Sequence, residues 1–171
     1  MPFDLQPTLC GDLVGARPLR RTDFDSLYEV ASDPLIWAQH PVKNRYQRDV
    51  FTRFFDESMA SGGALVVTSA AGAMIGSSRF HGYDEGRSEI EIGWTFLARA
   101  SWGGPANGEL KSLMIDHAFR FVDRVVFLAA FDNRRSERAL EKIGAMRAGT
   151  RPDAAGNEST LFELRRPISA S

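Results

Sequence analysis

Apolar positions recur along this chain in two rhythms, and their alternation predicts its elements. Residues 13–19 read as a short first strand. Phe24, Leu27, Tyr28 and Ala31 then fall at i, i+3, i+4 and i+7, the spacing of a helix with one buried face. Thr22 and Asp25 stand where a capping box would open this helix, with Asp in place of the usual Glu, and Asp33-Pro34 would close it. A second helix is expected over 48–59, with Phe51, Phe54 and Phe55 turned inward, and Gly62-Gly63 breaks it. Three strands follow at 64–70, 74–83 and 88–97, the last two joined antiparallel through a DEGR hairpin. A third helix is predicted over 108–122, capped by Asn107, its apolar stripe of Leu110, Leu113, Met114, Ala118 and Phe121 widened by Ile115, Phe119 and Val122. Residues 124–130 are apolar at consecutive positions, as in a strand buried on both faces. Asn133 caps a fourth helix that Gly144 ends, and AMRAGT and STLFEL close the chain around a PDAAGN hairpin. The resulting class is α/β (α+β): a mixed, mostly antiparallel central sheet of about seven strands flanked by about four helices.

Composition narrows the picture without adding elements. A length of 171 residues suits one domain, 1–171, with residues 1–12 read as a loose leader. The net charge of −1 offers no overall field for nucleic acid or an anionic membrane, so any anion site must be local. Cys10 is the only cysteine, which excludes an internal disulfide and a cysteine-based metal cluster, and no metal is expected. No apolar run approaches the roughly 20 residues of a membrane span, and the acidic start lacks the basic region of a signal peptide. The expected setting is cytoplasmic.

Two turns carry candidate chemistry. In SWGGPANGE, glycines allow close backbone approach just before a helix, whose N-terminus offers unpaired N–H groups and about half a unit of positive charge. The same residues would also serve as a plain strand-to-helix turn. In NRRSERALEKIG, Ser136 shares a face with Ala139, Leu140 and Ile143, so a hydroxyl stands at the open end of an apolar stripe; local capping explains it equally well. His117 lies on the apolar stripe of its helix and reads as a core histidine.

Taken together, EIGWTF, WGGPANGELKSLMIDHAF and NRRSERALEKIGAMRAGT resemble the GNAT superfamily of acetyl-CoA-dependent N-acetyltransferases, over nearly the whole chain. The branch it is similar to is that of the ribosomal-protein N-terminal (alanine) acetyltransferases. The resemblance implies a V-shaped opening between two central strands that admits acetyl-CoA. Its pantetheine would pair with backbone near Trp94, Thr95 and Phe96. Its diphosphate would rest on the turn Trp102, Gly103, Gly104, Ala106, Asn107 and Gly108. Asn133 would contact the pantetheine arm, and Ser136 would lie near the sulfur. The implied partners are acetyl-CoA and an amine acceptor, either a protein N-terminus or a small molecule, with no nucleic acid and no membrane. Dimers are common among similar proteins, so a homodimer is an open expectation.

The departures from the superfamily pattern also matter. Pro105 removes one donor from the phosphate turn, Asn107 replaces a small residue, and Glu109 in the first helical turn would compete with a phosphate. A Tyr general acid common in the superfamily is replaced by Leu140, and a Glu base of one branch aligns with Leu128. Glu91, which alternates onto the same strand face as Glu89 and Gly93, is therefore the candidate base, and Ser136 the candidate proton donor to sulfur. Trp37, His40, His81 and Glu89 are the candidate acceptor-binding residues. Freeing a neutral amine at pH 7 costs about 1.4 kcal/mol for an α-amino group and about 4.6 for a lysine, which favours the former for a site with one carboxylate. The alternative is a non-catalytic acyl-CoA-binding or sensor domain of the same fold.

Overall fold

The structure, a computed structural model, describes residues 2–168. Eight strands form one sheet in the order β1-β2-β3-β4-β5-β6-β8-β7. They are β1 (Leu9–Cys10), β2 (Val14–Pro18), β3 (Ala64–Ser69), β4 (Met74–Asp84), β5 (Glu89–Leu97), β6 (Arg124–Ala129), β7 (Met146–Pro152) and β8 (Glu158–Arg165). Four helices complete the fold: α1 (Phe24–Ala31), α2 (Arg48–Ser61), α3 (Ala106–Ala118) and α4 (Arg134–Lys142). Every neighbouring pair of strands is antiparallel except β5 and β6. The mixed class is as expected, with one strand more than the seven read from the sequence.

The sheet divides two cores. Strand β3 shows how: Leu65 and Val67 point into one, Ala64 and Val66 into the other, and all four are buried. That is the continuous apolar run of a strand covered on both faces. Leu110, Met114 and Ala118 of α3, with Leu140 of α4, pack the first core. Leu27 and Ala31 of α1, with Phe51, Phe54 and Phe55 of α2, pack the second. The helix spacings read from the sequence therefore meet their buried faces.

Three local expectations are corrected. The first helix is not opened by Thr22 and Asp25; Asp23 accepts the Arg20 amide at 2.8 Å and pairs with the Arg17 guanidinium at 2.8 Å. The third helix spans Ala106–Ala118, not 108–122, so Asn107 lies within its first turn and does not cap it. Residues 1–12 are not a loose leader where they are described. Phe3 is buried against Phe80, His117 and Phe121, and β1 pairs with β2. His117 Nε2 donates to the Asp4 backbone oxygen at 2.8 Å, as a satisfied core histidine should. No described helix is long and apolar enough to cross a membrane.

Candidate functional site

The central strands part because their pairing stops early. Strand β5 meets β6 at only three rungs: Glu89 with Arg124, Ile90 with Val125 and Glu91 with Val126. Beyond Glu91, β6 continues to pair with β8 and β5 with β4, and the two strands diverge. A β-bulge sharpens the departure. Trp94 and Thr95 together oppose Ser78, and Trp94 takes a left-handed φ of 52°. Such a bulge bends its strand and re-aims its side chains. The side of β5 from Ile92 to Leu97 that would face β6 is left with free backbone groups.

A cavity of about 750 Å³ fills this opening, lined on its two flanks by Trp94 and Thr95 of β5 and by Phe127 and Leu128 of β6. Glu91, Trp102, Gly103, Asn107, Asn133, Ser136 and His40 also line it. These expected site residues are thus brought together. Gly104, Ala106 and Gly108 adjoin it in the turn and first helical residues.

The turn is built as an anion cradle. Trp102 anchors it, its indole N–H donating to the Leu97 carbonyl at 3.0 Å, and Gly103 adopts φ 71°, a conformation glycine enters without steric cost. The amides of Gly103, Gly104, Ala106, Asn107 and Gly108 have no acceptor among the described residues. Helix starts leave such donors unpaired, and the helix dipole adds positive potential. Unpaired donors clustered in one turn, two of whose residues, Gly103 and Asn107, line the cavity, suit a diphosphate, and the free edge of β5 suits an amide-bearing arm, so the residues present suit a CoA thioester. Glu109, expected to compete, is turned away: its carboxylate accepts the Leu13 amide at 2.8 Å. Gly11 makes room for it, since a Cβ there would lie 2.0 Å from the Glu109 oxygen.

On the opposite wall, Asn133 caps α4 by accepting the Ser136 amide at 3.3 Å. The Ser136 hydroxyl has no protein partner among the described residues and faces the cavity. Leu128 and Leu140 line the cavity close by.

Glu91 stands at the vertex, and burial pushes its carboxyl up to about 7, against the opposing pull of Arg151 and Arg79. It shares its strand face with Gly93: a Cβ on Gly93 would lie 4.0 Å from the Glu91 oxygen. A carboxyl held near neutrality can accept and release a proton at ordinary pH.

Four expected acceptor and cofactor contacts lie elsewhere. Glu89 is buried outside the cavity, where it pairs with Arg124 at 2.5 Å and Arg151 at 2.6 Å; Arg124 reaches on to Glu163. It staples three strands at the vertex. Trp37 is a core residue, 2% exposed, its indole N–H bound to the Ala31 carbonyl at 2.8 Å. His81 is exposed and packs edge-on to Trp94 outside the cavity wall. The Phe96 side chain is buried in the second core, so only its backbone can serve the opening.

Other residues at the site escaped the sequence reading. Lys111 lines the cavity one turn beyond Asn107, buried, its Nζ donating to Thr95 Oγ1 at 2.5 Å while Ser78 shares that hydroxyl at 2.8 Å. Burial pushes its ammonium down to about 7. Its signal was its place on the widened stripe, with Ile115 and Ala118 at i+4 and i+7. Arg45, in the loop before α2, and Arg135 of α4 line the cavity too. No cluster of His, Cys, Asp or Glu able to hold a metal occurs among the described residues.

Comparison with known proteins agrees with this geometry. An Acetyltransferase (GNAT) domain matches residues 14–146, well over half of the chain. No curated protein matches at a significant level. Among solved structures, a probable GNAT-family acetyltransferase from Chromobacterium violaceum superposes with a TM-score of 0.83 at 19% identity, covering 96% of this chain and 88% of that one. RimJ of Mycobacterium smegmatis, solved with CoA-disulfide, gives a TM-score of 0.71 at 17% identity, covering 93% and 86%. The microcin C7 self-immunity acetyltransferase MccE, solved with acetyl-CoA and AMP, gives 0.73 at 15% identity, covering 91% and 94%. A parted parallel strand pair, a cradle of free amides and a family match across the chain's centre lead to one conclusion: the protein belongs to the GNAT acetyltransferase family.

Proposed function

We propose that this protein transfers an acetyl group from acetyl-CoA directly to a primary amine, with Glu91 as the base that receives the amine proton. The observation that carries this reading is a largely buried carboxyl near neutrality lining the same opening as Gly103 and Asn107, two residues of a turn whose amides are unpaired. Acetyl-CoA supplies the activated thioester. The amides of the turn 103–108 hold its diphosphate, the free edge of β5 aligns its arm, and Asn133 orients it. Glu91, ionised above about pH 7, takes the proton as the amine becomes nucleophilic. The Ser136 hydroxyl, free of protein partners, is placed to hand a proton to the departing thiolate. Water is limited by the apolar wall of Phe127, Leu128 and Leu140.

A second reading, acyl-CoA binding without turnover, is favoured by Leu128 and Leu140, apolar residues that line the cavity where similar enzymes carry acid and base groups. The two separate experimentally. Millimolar acetyl-CoA should raise the melting temperature, since a ligand specific to the folded state stabilises it by RT ln(1 + [L]/Kd). No rise removes both readings. Thiol release across a panel of amines and N-terminal peptides then supports transfer, and its absence supports the binding domain. Under transfer, Glu91→Gln should lower kcat about 10²–10⁴-fold and abolish the loss of rate below pH 7. An unchanged pH–rate profile excludes Glu91 as the base.

A further inference from the structure

Beside the cavity stand two guanidinium groups, Arg45 and Arg79, that make no direct ion pair among the described residues, with Glu57 and Glu91 opposing them only at longer range. Arg45 lies half-buried, its guanidinium stacked 4.4 Å from the Phe54 ring centroid and 5.3 Å from that of Trp37. It has no ion pair among the described residues, and its Nε is buried with no hydrogen-bond partner. Burial lowers its pKa to about 10, with Glu57 opposing the shift and Arg79 adding to it. Arg79, buried over Trp94, also keeps a buried, unpartnered Nε, and its one hydrogen bond goes to the Ser58 hydroxyl. A guanidinium has five donors and no acceptor, and leaving them unmatched in a half-buried site is costly.

His40 sharpens the point. Its Nδ1 accepts the Val42 amide at 2.9 Å, so in the neutral ring the proton resides on Nε2. Burial and the neighbouring Arg45 keep the ring neutral, with its pKa near 4. Yet Nε2 stands 3.5 Å from Nη1 of Arg45. Two N–H donors therefore meet with no acceptor between them, on the wall of the cavity that also holds Glu91. An oxygen atom with lone pairs would complete both.

We propose that His40 and Arg45 form an acidic-group subsite, and that the acceptor is an amine carrying a carboxylate or a phosphate, which this pair seats while the amine reaches Glu91. This rests on the acetyl-transfer reading for its chemistry but not for its binding. Planar, forked donors suit both oxyanions.

Matched amines test it: phenylalanine against phenylalaninamide, phosphoethanolamine against ethanolamine, and an Ala-Glu against an Ala-Gln peptide. With CoA present, the acidic member of at least one pair should raise the melting temperature more than its neutral partner. With acetyl-CoA, its kcat/KM should be about tenfold higher or more. The responding pair identifies the source of the acid. In Arg45→Met, this preference should fall to within about threefold, while Arg45→Lys keeps part of it and the shift given by acetyl-CoA alone is unchanged. The unliganded Arg45→Met protein should melt close to wild type, because Met keeps the apolar packing on Phe54 and Trp37 while the half-buried charge it removes makes no direct ion pair among the described residues. A clear drop in that melting temperature would mark Arg45 as structural and overturn the proposal. So would neutral amines matching or beating their acidic partners in both readouts, or a preference surviving in Arg45→Met. If no amine releases thiol, the transfer reading fails, and the melting shifts with CoA still decide this one.

Discussion

Glu91 and Lys111 lie in one cavity and are pushed toward neutrality from opposite sides, so folding should depend on pH through both, with opposite signs. For Glu91 the folded pKa, about 7, exceeds the ordinary carboxyl value. Its contribution is full at acid pH and is lost as pH rises toward 7. Glu91→Gln should therefore be more stable than wild type at pH 8, by on the order of 1–2 kcal/mol, and no more stable at pH 4. For Lys111 the folded pKa, also about 7, lies below the ordinary lysine value. Its contribution is full above about pH 10 and is lost as pH falls toward 7. Lys111→Met should gain on the order of 2–4 kcal/mol at pH 7, a gain that closes by pH 10. Urea unfolding at the two pH values checks each; a pH-independent difference sinks the argument. Glu91, Asn133 and Ser136 were legible because strand alternation and a cap motif place them. Arg45 was not, because its loop has no periodicity and its burial is set by Trp37 and Phe54 from other segments. The same limit misplaced Trp37 and Glu89: a loop tryptophan looks available until the Ala31 carbonyl is found beneath it, and a strand glutamate looks catalytic until two arginines are found beside it.

Among the elements, the turn into α3 separates binding from folding cleanly. Gly104 has open space around its missing Cβ and no left-handed φ, whereas Gly103 needs φ 71°. Gly104→Asp should place a carboxylate among the free amides and weaken acetyl-CoA at least about tenfold, with little change in melting temperature. Gly103→Ala should instead cost roughly 1–2 kcal/mol of stability through backbone strain. Calorimetric titration and thermal melts read the two effects independently; equal behaviour of the variants would contradict the assigned geometry. Here the sequence reading erred by two residues at the helix start, since Asn107 looks like a cap while the chain already turns helical at Ala106. The error mattered little, because the donors of a first turn stay free under either boundary.

At the scale of the whole molecule, the N-terminal segment belongs to the fold. Phe3 fills the first core, and the Glu109 carboxylate holds the Leu13 amide across the sheet edge. Phe3→Ala should cost about 3 kcal/mol, measured by chemical denaturation; a loss under about 0.5 would return the segment to the role of a loose leader. The layered architecture was legible from two hydrophobic periods, but this packing was not, because an isolated Phe in a Pro-containing stretch matches neither period. The short seam between β5 and β6 has a mechanical consequence. Within the sheet, the β1–β5 half meets the β6–β8 half along three rungs and the Glu89 staple, with the first core packed beneath both. A sheet seamed along a third of its length behaves as two leaves on a spine. Amide protons on the unpaired margin of β5 should therefore exchange with solvent faster than those at the spine, which hydrogen exchange would read. Whatever strand-like arm enters the gap becomes the missing rungs, binding the two leaves into one.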